Sequence, residues 1–177
     1  MVSLEQKRIS NISEYIVQVY QAEEQLRSCD LDIDAVFREH IEDLAATDEE
    51  KALEKQWYSE LLEEMKRDGV EKSGHLARIN AIVKELSEIH FHLLKSDRTY
   101  RGHFDQAKLH INRFQQAYGG ELMNPIQICL DGVYLFKRKR SQQESLDEQF
   151  KAAIPAFVEL CGYLSYRYKS KHENDEE

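Results

Sequence analysis

The stretch Phe150-Lys151-Ala152-Ala153-Ile154-Pro155-Ala156-Phe157-Val158-Glu159-Leu160-Cys161-Gly162-Tyr163-Leu164-Ser165-Tyr166-Arg167-Tyr168 decides the fold class. Its seam is Phe150, Ile154, Phe157, Cys161, Leu164 and Tyr168, in steps of four and three. Successive residues of an α-helix turn by about 100°, so such steps keep side chains on one face, whereas a strand alternates every second residue. The same rhythm runs through Leu76, Ile79, Val83, Leu86, His90 and Leu93, and through Tyr100, Phe104, Ala107, Ile111, Phe114 and Tyr118. With only 7 Gly and 2 Pro in 177 residues, the chain lacks the many tight turns of a sheet-rich fold. Together these features predict an all-α fold, a single bundle of six or seven mostly antiparallel amphipathic helices. One domain over 1–170 is expected, followed by a disordered acidic tail over 171–177.

Composition narrows the function. The chain is 41% hydrophobic and 32% charged, enough apolar material for a core. Acids outnumber bases 33 to 24, giving a formal net charge of -9. A nucleic-acid binder has to neutralise phosphates with cations, so DNA, RNA and anionic membrane surfaces are poor partners for so acidic a chain. The sequence has no apolar run long enough to span a bilayer. Met1 to Ser10, with Glu5, Lys7 and Arg8, has no signal-peptide core, so a cytoplasmic location is expected. Cys29, Cys129 and Cys161 are odd in number and widely spaced, which predicts reduced, buried thiols. Neither a metal centre nor a cofactor fingerprint follows from spacing.

Helix starts are marked by capping residues. Asn11 with Glu14, Thr47 with Glu50, and Ser145 with Glu148 read as capping boxes. Asp32 or Asp34 opens a short second helix with the seam Ile33, Phe37, His40 and Leu44; the third has the seam Leu53, Trp57, Leu61 and Met65. Gly69 stops the third helix. Ser73 precedes the fourth helix, over roughly 75–96, and Asp97 caps the fifth, which stops at Gly119-Gly120. Asn124 followed by Pro125 opens the sixth, and Pro155 should bend the last.

Interruptions of the seams are the candidate sites. Glu23, His40 and His90 stand where apolar residues are expected, with Tyr15 and Tyr20 beside the first seam. A buried carboxylate or imidazole requires a partner. One outcome is a satisfied core network, the other a small-ligand or divalent-metal pocket made by Glu23, His40 and His90. Tyr163 and Tyr166 form a second stripe on the last helix, central to the bundle or facing a partner, including a second copy. The run Lys137-Arg138-Lys139-Arg140 suits the negative end of a helix dipole. Glu60, Glu63 and Glu64, and Glu85 and Glu88, belong on solvated acidic faces.

Two resemblances add to this. His92-Leu93-Leu94-Lys95-Ser96 resembles the His-x-Leu-Lys-Gly core of histidine phosphotransfer domains, which implies His92 as a phosphoacceptor; Ser96 replaces the glycine. The opening Ser10-Asn11-Ile12-Ser13-Glu14-Tyr15-Ile16-Val17-Gln18-Val19-Tyr20-Gln21-Ala22-Glu23-Glu24-Gln25-Leu26-Arg27, the stretch Asn124-Pro125-Ile126-Gln127-Ile128-Cys129-Leu130 and the closing Leu164-Ser165-Tyr166-Arg167-Tyr168-Lys169 resemble a bacterial all-helical family known only as a domain of unknown function. That resemblance implies a cytosolic, single-domain helical protein and carries no activity onto any residue. The expected function is a non-catalytic protein-interaction or self-associating module, with ligand or metal binding as the alternative and phosphotransfer at His92 behind both.

Overall fold

The structure, a computed structural model, describes residues 8, 10–117 and 124–175. It is an all-α bundle: α1 Ile12–Ser28, α2 Ile33–Val36 continuing as a π-helical turn Phe37–Ile41, α3 Asp48–Asp68, α4 Ala77–Ser96, α5 Arg98–Ala117, α6 Pro125–Ser141 and α7 Glu148–Asp175. Among the described residues no strand occurs. Nor, among the described residues, is any helix long and apolar enough to cross a membrane. Tyr118 and the stop expected at Gly119-Gly120 lie outside the described residues.

Local chemistry sets most helix ends. Asn11 Oδ1 accepts from Glu14 N at 3.1 Å, Asp32 Oδ1 from Asp34 N at 2.9 Å, and Asp97 Oδ1 from Tyr100 N at 3.0 Å. The Thr47–Glu50 box closes in both directions, and Gly69 ends α3 at φ 70°. Three expectations fail. Asp147, not Ser145, caps α7, accepting from Phe150 N at 2.8 Å, because α7 starts only at Glu148. Ala77, at the start of α4, donates to Asp68 Oδ2 at 2.8 Å, so the cap comes from the end of α3 and not from Ser73. The second helix ends at Ile41, leaving Leu44 in a turn and 42% exposed. In α3 the buried face is Tyr58, Leu61, Leu62 and Met65, while Leu53 is 61% exposed. α7 runs through Pro155 and continues to Asp175.

The contacts fall into two compact units, residues 1–18 with 81–177, and residues 19–80. In the larger, α7 packs on α5 and α6, which also pack on each other. Along α5 and α7 the partners run in opposite directions: Tyr100 meets Tyr163, and Phe114 meets Phe150. The two helices are therefore antiparallel. Ile154, Phe157, Cys161 and Leu164 are buried, as their spacing predicts. Ser13 joins the first turn of α1 to α7: its N–H donates to Ser165 Oγ at 3.1 Å and its hydroxyl to the Cys161 carbonyl at 3.0 Å. Lys137 bonds both oxygens of Glu14 at 2.7 Å.

The smaller unit is built by α1 from Val19 onward, α2 with its π turn, α3 and the start of α4. Tyr58 donates to Gln25 Oε1 at 2.6 Å, and Arg78 Nε lies 2.8 and 2.9 Å from the two Glu64 oxygens. Glu64 is thus an ion-pair partner, whereas Glu63 pairs with Lys66 at the exposed surface.

Gly132 of α6 lets α7 approach closely. A Cβ there would lie 2.7 Å from two ring carbons of Phe157, a side chain with no exposed surface. Gly132→Ala is expected to destabilise the protein by about 1–3 kcal/mol, because overpacking outweighs the gain in helix propensity. Gly102→Ala in α5, where nothing lies within 4 Å, should stabilise by about 0.5–1 kcal/mol. Urea unfolding of both variants checks the sign of each.

Candidate functional site

Each interruption closes on partners within its own unit. In the smaller unit the fully buried Glu23 carboxylate takes two donors. His75 Nδ1 lies 2.6 Å from Oε2, and Leu76 N donates to Oε1 at 3.1 Å. A carboxylate only accepts, so Nδ1 carries the proton and Nε2 is left at the far side of the ring. Tyr20 stacks on that imidazole with centroids 3.7 Å apart. One turn beyond Glu23, Arg27 Nη2 lies 3.9 Å from its carboxylate and donates to the carbonyls of Val70 and Gly74. Two residues of α1 therefore hold the loop before α4. This carboxylate–imidazole pair can orient a base or fix a tautomer, and no nucleophile bonds to His75 among the described residues.

His40, in the same unit, has no hydrogen bond to Glu23. It lies in the π turn with Glu39, and both face Cys29: Sγ is 3.6 Å from Glu39 Oε2 and 3.9 Å from His40 Nε2. Burial, then the Glu39 carboxylate, pushes the Cys29 thiol up. The three side chains offer ligand atoms all within 4.8 Å of one another.

In the larger unit, His90 is buried at 1% exposure and its Nδ1 lies 2.5 Å from the Tyr100 hydroxyl. Burial lowers its pKa from 6.5 to about 4, so it is a neutral acceptor, and the phenol donates. Burial also pushes the Tyr100 phenol upward. Tyr15, at 5% exposure, is a core residue of the same unit. Tyr163 bonds Asp97 Oδ2 at 2.7 Å, and Arg167 lies 3.7 Å from that carboxylate. The Tyr100 N–H, then the Tyr163 hydroxyl, hold the Asp97 carboxyl below its usual range. Tyr166 is 63% exposed, so only its half of the tyrosine stripe faces outward.

His92 is exposed and lines a groove of about 330 Å³ with Arg167 and Lys171, but Lys171 is already paired with Glu85 at 2.6 Å. A second groove, of about 310 Å³, lies at the α5–α6–α7 junction. Phe114, Ala117, Leu135, Leu146 and Phe150 supply its apolar surface, and its charged residues are Arg113, Lys139 and Asp147, the last already accepting from Phe150 N. Phe114 stacks on Phe150 at 5.5 Å and meets the edge of Phe157 at 5.4 Å.

Sequence spacing misses three partners. His75 precedes α4 in a loop, so no period marks it. Tyr100 is ten residues from His90 across a turn. Cys29 reads as a small apolar group until the chain folds back on it.

Comparison with known proteins gives one family. A family model described as Domain of unknown function (DUF4924) matches residues 1–175. No curated protein and no solved structure matches the chain. The resemblance carried by residues 10–27 and the two later stretches is borne out at the level of a helical domain of unknown function.

Glu23→Ala is expected to destabilise the protein by about 2–4 kcal/mol, because it strips the acceptor from the Leu76 amide and from His75. Glu23→Gln keeps an acceptor for Leu76 and should lose roughly half as much; urea unfolding near neutral pH measures both. His90 adds a pH dependence. Between 6.5 and about 4 the unfolded chain takes up a proton that the folded one refuses. This contribution, up to about 3 kcal/mol, is complete above the unfolded value and is lost as pH falls through that window. Melting temperatures of wild type and His90→Leu across it should converge toward the acid end.

Proposed function

The chain belongs to the family of this domain of unknown function, DUF4924, and we propose that it works as a non-catalytic binding protein that seats a segment of a partner protein in the α5–α6–α7 groove. The observation that carries this reading is the groove's make-up. Five apolar side chains line it, and Phe114 and Phe150 are already stacked against each other. At about 310 Å³ it suits one or two large side chains, the low end of the roughly 300–1,000 Å³ typical of ligand pockets. Apolar anchors in such pockets carry most of the affinity of protein interfaces.

Charge selects the partner. Lys139 is paired with Glu144 at 2.7 Å, whereas no carboxylate pairs with Arg113 among the described residues. Asp147, the carboxylate of the lining, already accepts from Phe150 N, so on a chain of net charge -9 the open arginine beside the apolar groove favours a segment with a large apolar residue next to a carboxylate. The internal closure of Glu23 on His75 and of His90 on Tyr100 supports structural roles for those residues.

Anilinonaphthalene sulfonate, an apolar ring system with one anionic group, is a suitable probe. It is expected to bind the native protein saturably, with a rise in fluorescence. Leu146→Glu and Arg113→Glu, both at the groove, should each weaken binding by about tenfold or more, equivalent to about 1.4 kcal/mol. Equal binding by wild type and both variants, with unchanged circular dichroism, would overturn the groove assignment. Light scattering tests the occupant: a dimer that Leu146→Glu dissociates makes it a second copy of this chain instead of a different protein.

A further inference from the structure

We propose that Cys29, Glu39 and His40 form a binding site for a single zinc ion, with the fourth coordination position open to water. The site lies in the unit of residues 19–80 and is independent of the groove.

The ligand set comes first. A thiol sulfur, an imidazole nitrogen and a carboxylate oxygen are the three donor types that zinc accepts, and three protein ligands with one open position is a familiar zinc arrangement. The spacing is close to what the ion requires. Ligands at about 2.3 Å for sulfur and 2.0–2.1 Å for nitrogen or oxygen, set at a tetrahedral angle, are about 3.5 Å apart. Sγ is 3.6 Å from Glu39 Oε2 and 3.9 Å from His40 Nε2, and all three ligand atoms lie within 4.8 Å.

The backbone produces this meeting by two unusual steps. α1 ends at Ser28, and Asp30 and Leu31 both have positive φ, 53° and 63°. Neither is glycine, and a leucine there is costly, of order 1 kcal/mol or more. This left-handed turn, closed by Leu31 N onto Leu26 O at 2.8 Å, reverses the chain. Six residues after Leu31 the helix widens into a π turn, closed by Glu42 N onto Phe37 O at 2.9 Å. Single π turns recur at functional sites because they re-aim side chains on an otherwise regular helix. Here the turn contains two adjacent residues, Glu39 and His40, that both reach Cys29.

Access and proton balance fit an exchangeable ion. Cys29 is 6% exposed, Glu39 is exposed and His40 half-exposed, so the sulfur is shielded while the entry side is open. The free thiol donates a hydrogen bond to Glu39 Oε2. Zinc takes the thiolate, so each ion bound displaces the thiol proton to solvent, and the His40 imidazole supplies a ring-nitrogen lone pair.

Cobalt(II) replaces zinc as the visible probe. Titration of the reduced, full-length protein is expected to give one equivalent of bound cobalt with a thiolate-to-cobalt charge-transfer band, bleached by zinc. Cys29→Ser should abolish the band. Changes in the outer shell of a metal site already weaken affinity about 10- to 100-fold, so loss of a ligand in His40→Ala or Glu39→Gln should weaken it by at least about 100-fold. Both positions are solvent-accessible, so these variants are expected to keep the native circular dichroism even if Cys29→Ser does not. Zinc should also raise the melting temperature of wild type and leave that of His40→Ala unmoved. A folded wild type that shows no charge-transfer band would overturn the proposal. So would a band that survives in His40→Ala with unchanged affinity, which would assign the metal to Cys129 or Cys161.

Discussion

A buried carboxylate is the constraint on which the order of the smaller unit depends. Glu23 has no exposed surface, and a charge in that position is tolerable only when hydrogen bonds replace its water. Its two oxygens are committed to the Leu76 amide and the His75 imidazole, immediately before α4. Leu76 in turn accepts from Ile79 and Asn80, so Glu23 holds the residue that begins the helix. Arg27 ties down the carbonyls of the same loop at Val70 and Gly74. The loop from Gly69 to Leu76 is therefore held by side chains of α1, and the start of α4 sets the register of its own seam.

The larger unit obeys a different rule, close packing around α7. Phe157 faces Gly132, and the absence of a side chain there allows the ring to sit against the α6 backbone. Phe157 also meets Phe114, whose other neighbour is Phe150 at the groove. The apolar core of this unit is thus continuous with the surface of the proposed docking groove. Polar groups near it are satisfied locally, His90 by Tyr100 and Tyr163 by Asp97. Such closed pairs rigidify a bundle, and rigidity in turn keeps a groove preformed for a partner.

Much of the fold is legible in the sequence because helix formation is local. The three-four spacing correctly places the buried faces of α4 and α7, and Asn11, Thr47, Asp97 and Asn124 act as caps where their side chains can reach free amides. The misses are also physical. Leu53 and Trp57 fit the period in α3, but Tyr58 and Leu62 share a face with Leu61 and Met65 equally well, and only packing chooses between them. The second helix was expected to reach Leu44; it widens and stops at Ile41, where a π turn replaces the α period on which the pattern rests. Glu23 and His90 stand out as buried polar residues, yet spacing does not name their partners: His75 lies in the loop before α4, and Tyr100 belongs to the seam of the next helix.

The sequence by itself determined the helical class, the caps and the positions at which an apolar face is interrupted, since each depends on residues within about one helical turn. Tertiary structure alone decided what fills each interruption. A hydrogen bond between Glu23 and His75 spans 52 positions, and Cys29 meets Glu39 and His40 only because two left-handed residues reverse the chain before a π turn. Periodicity records which face a residue occupies. It carries no information about which distant group arrives at that face, and that arrival decides whether Glu23, His40 and His90 act as structural partners, ligands or neither.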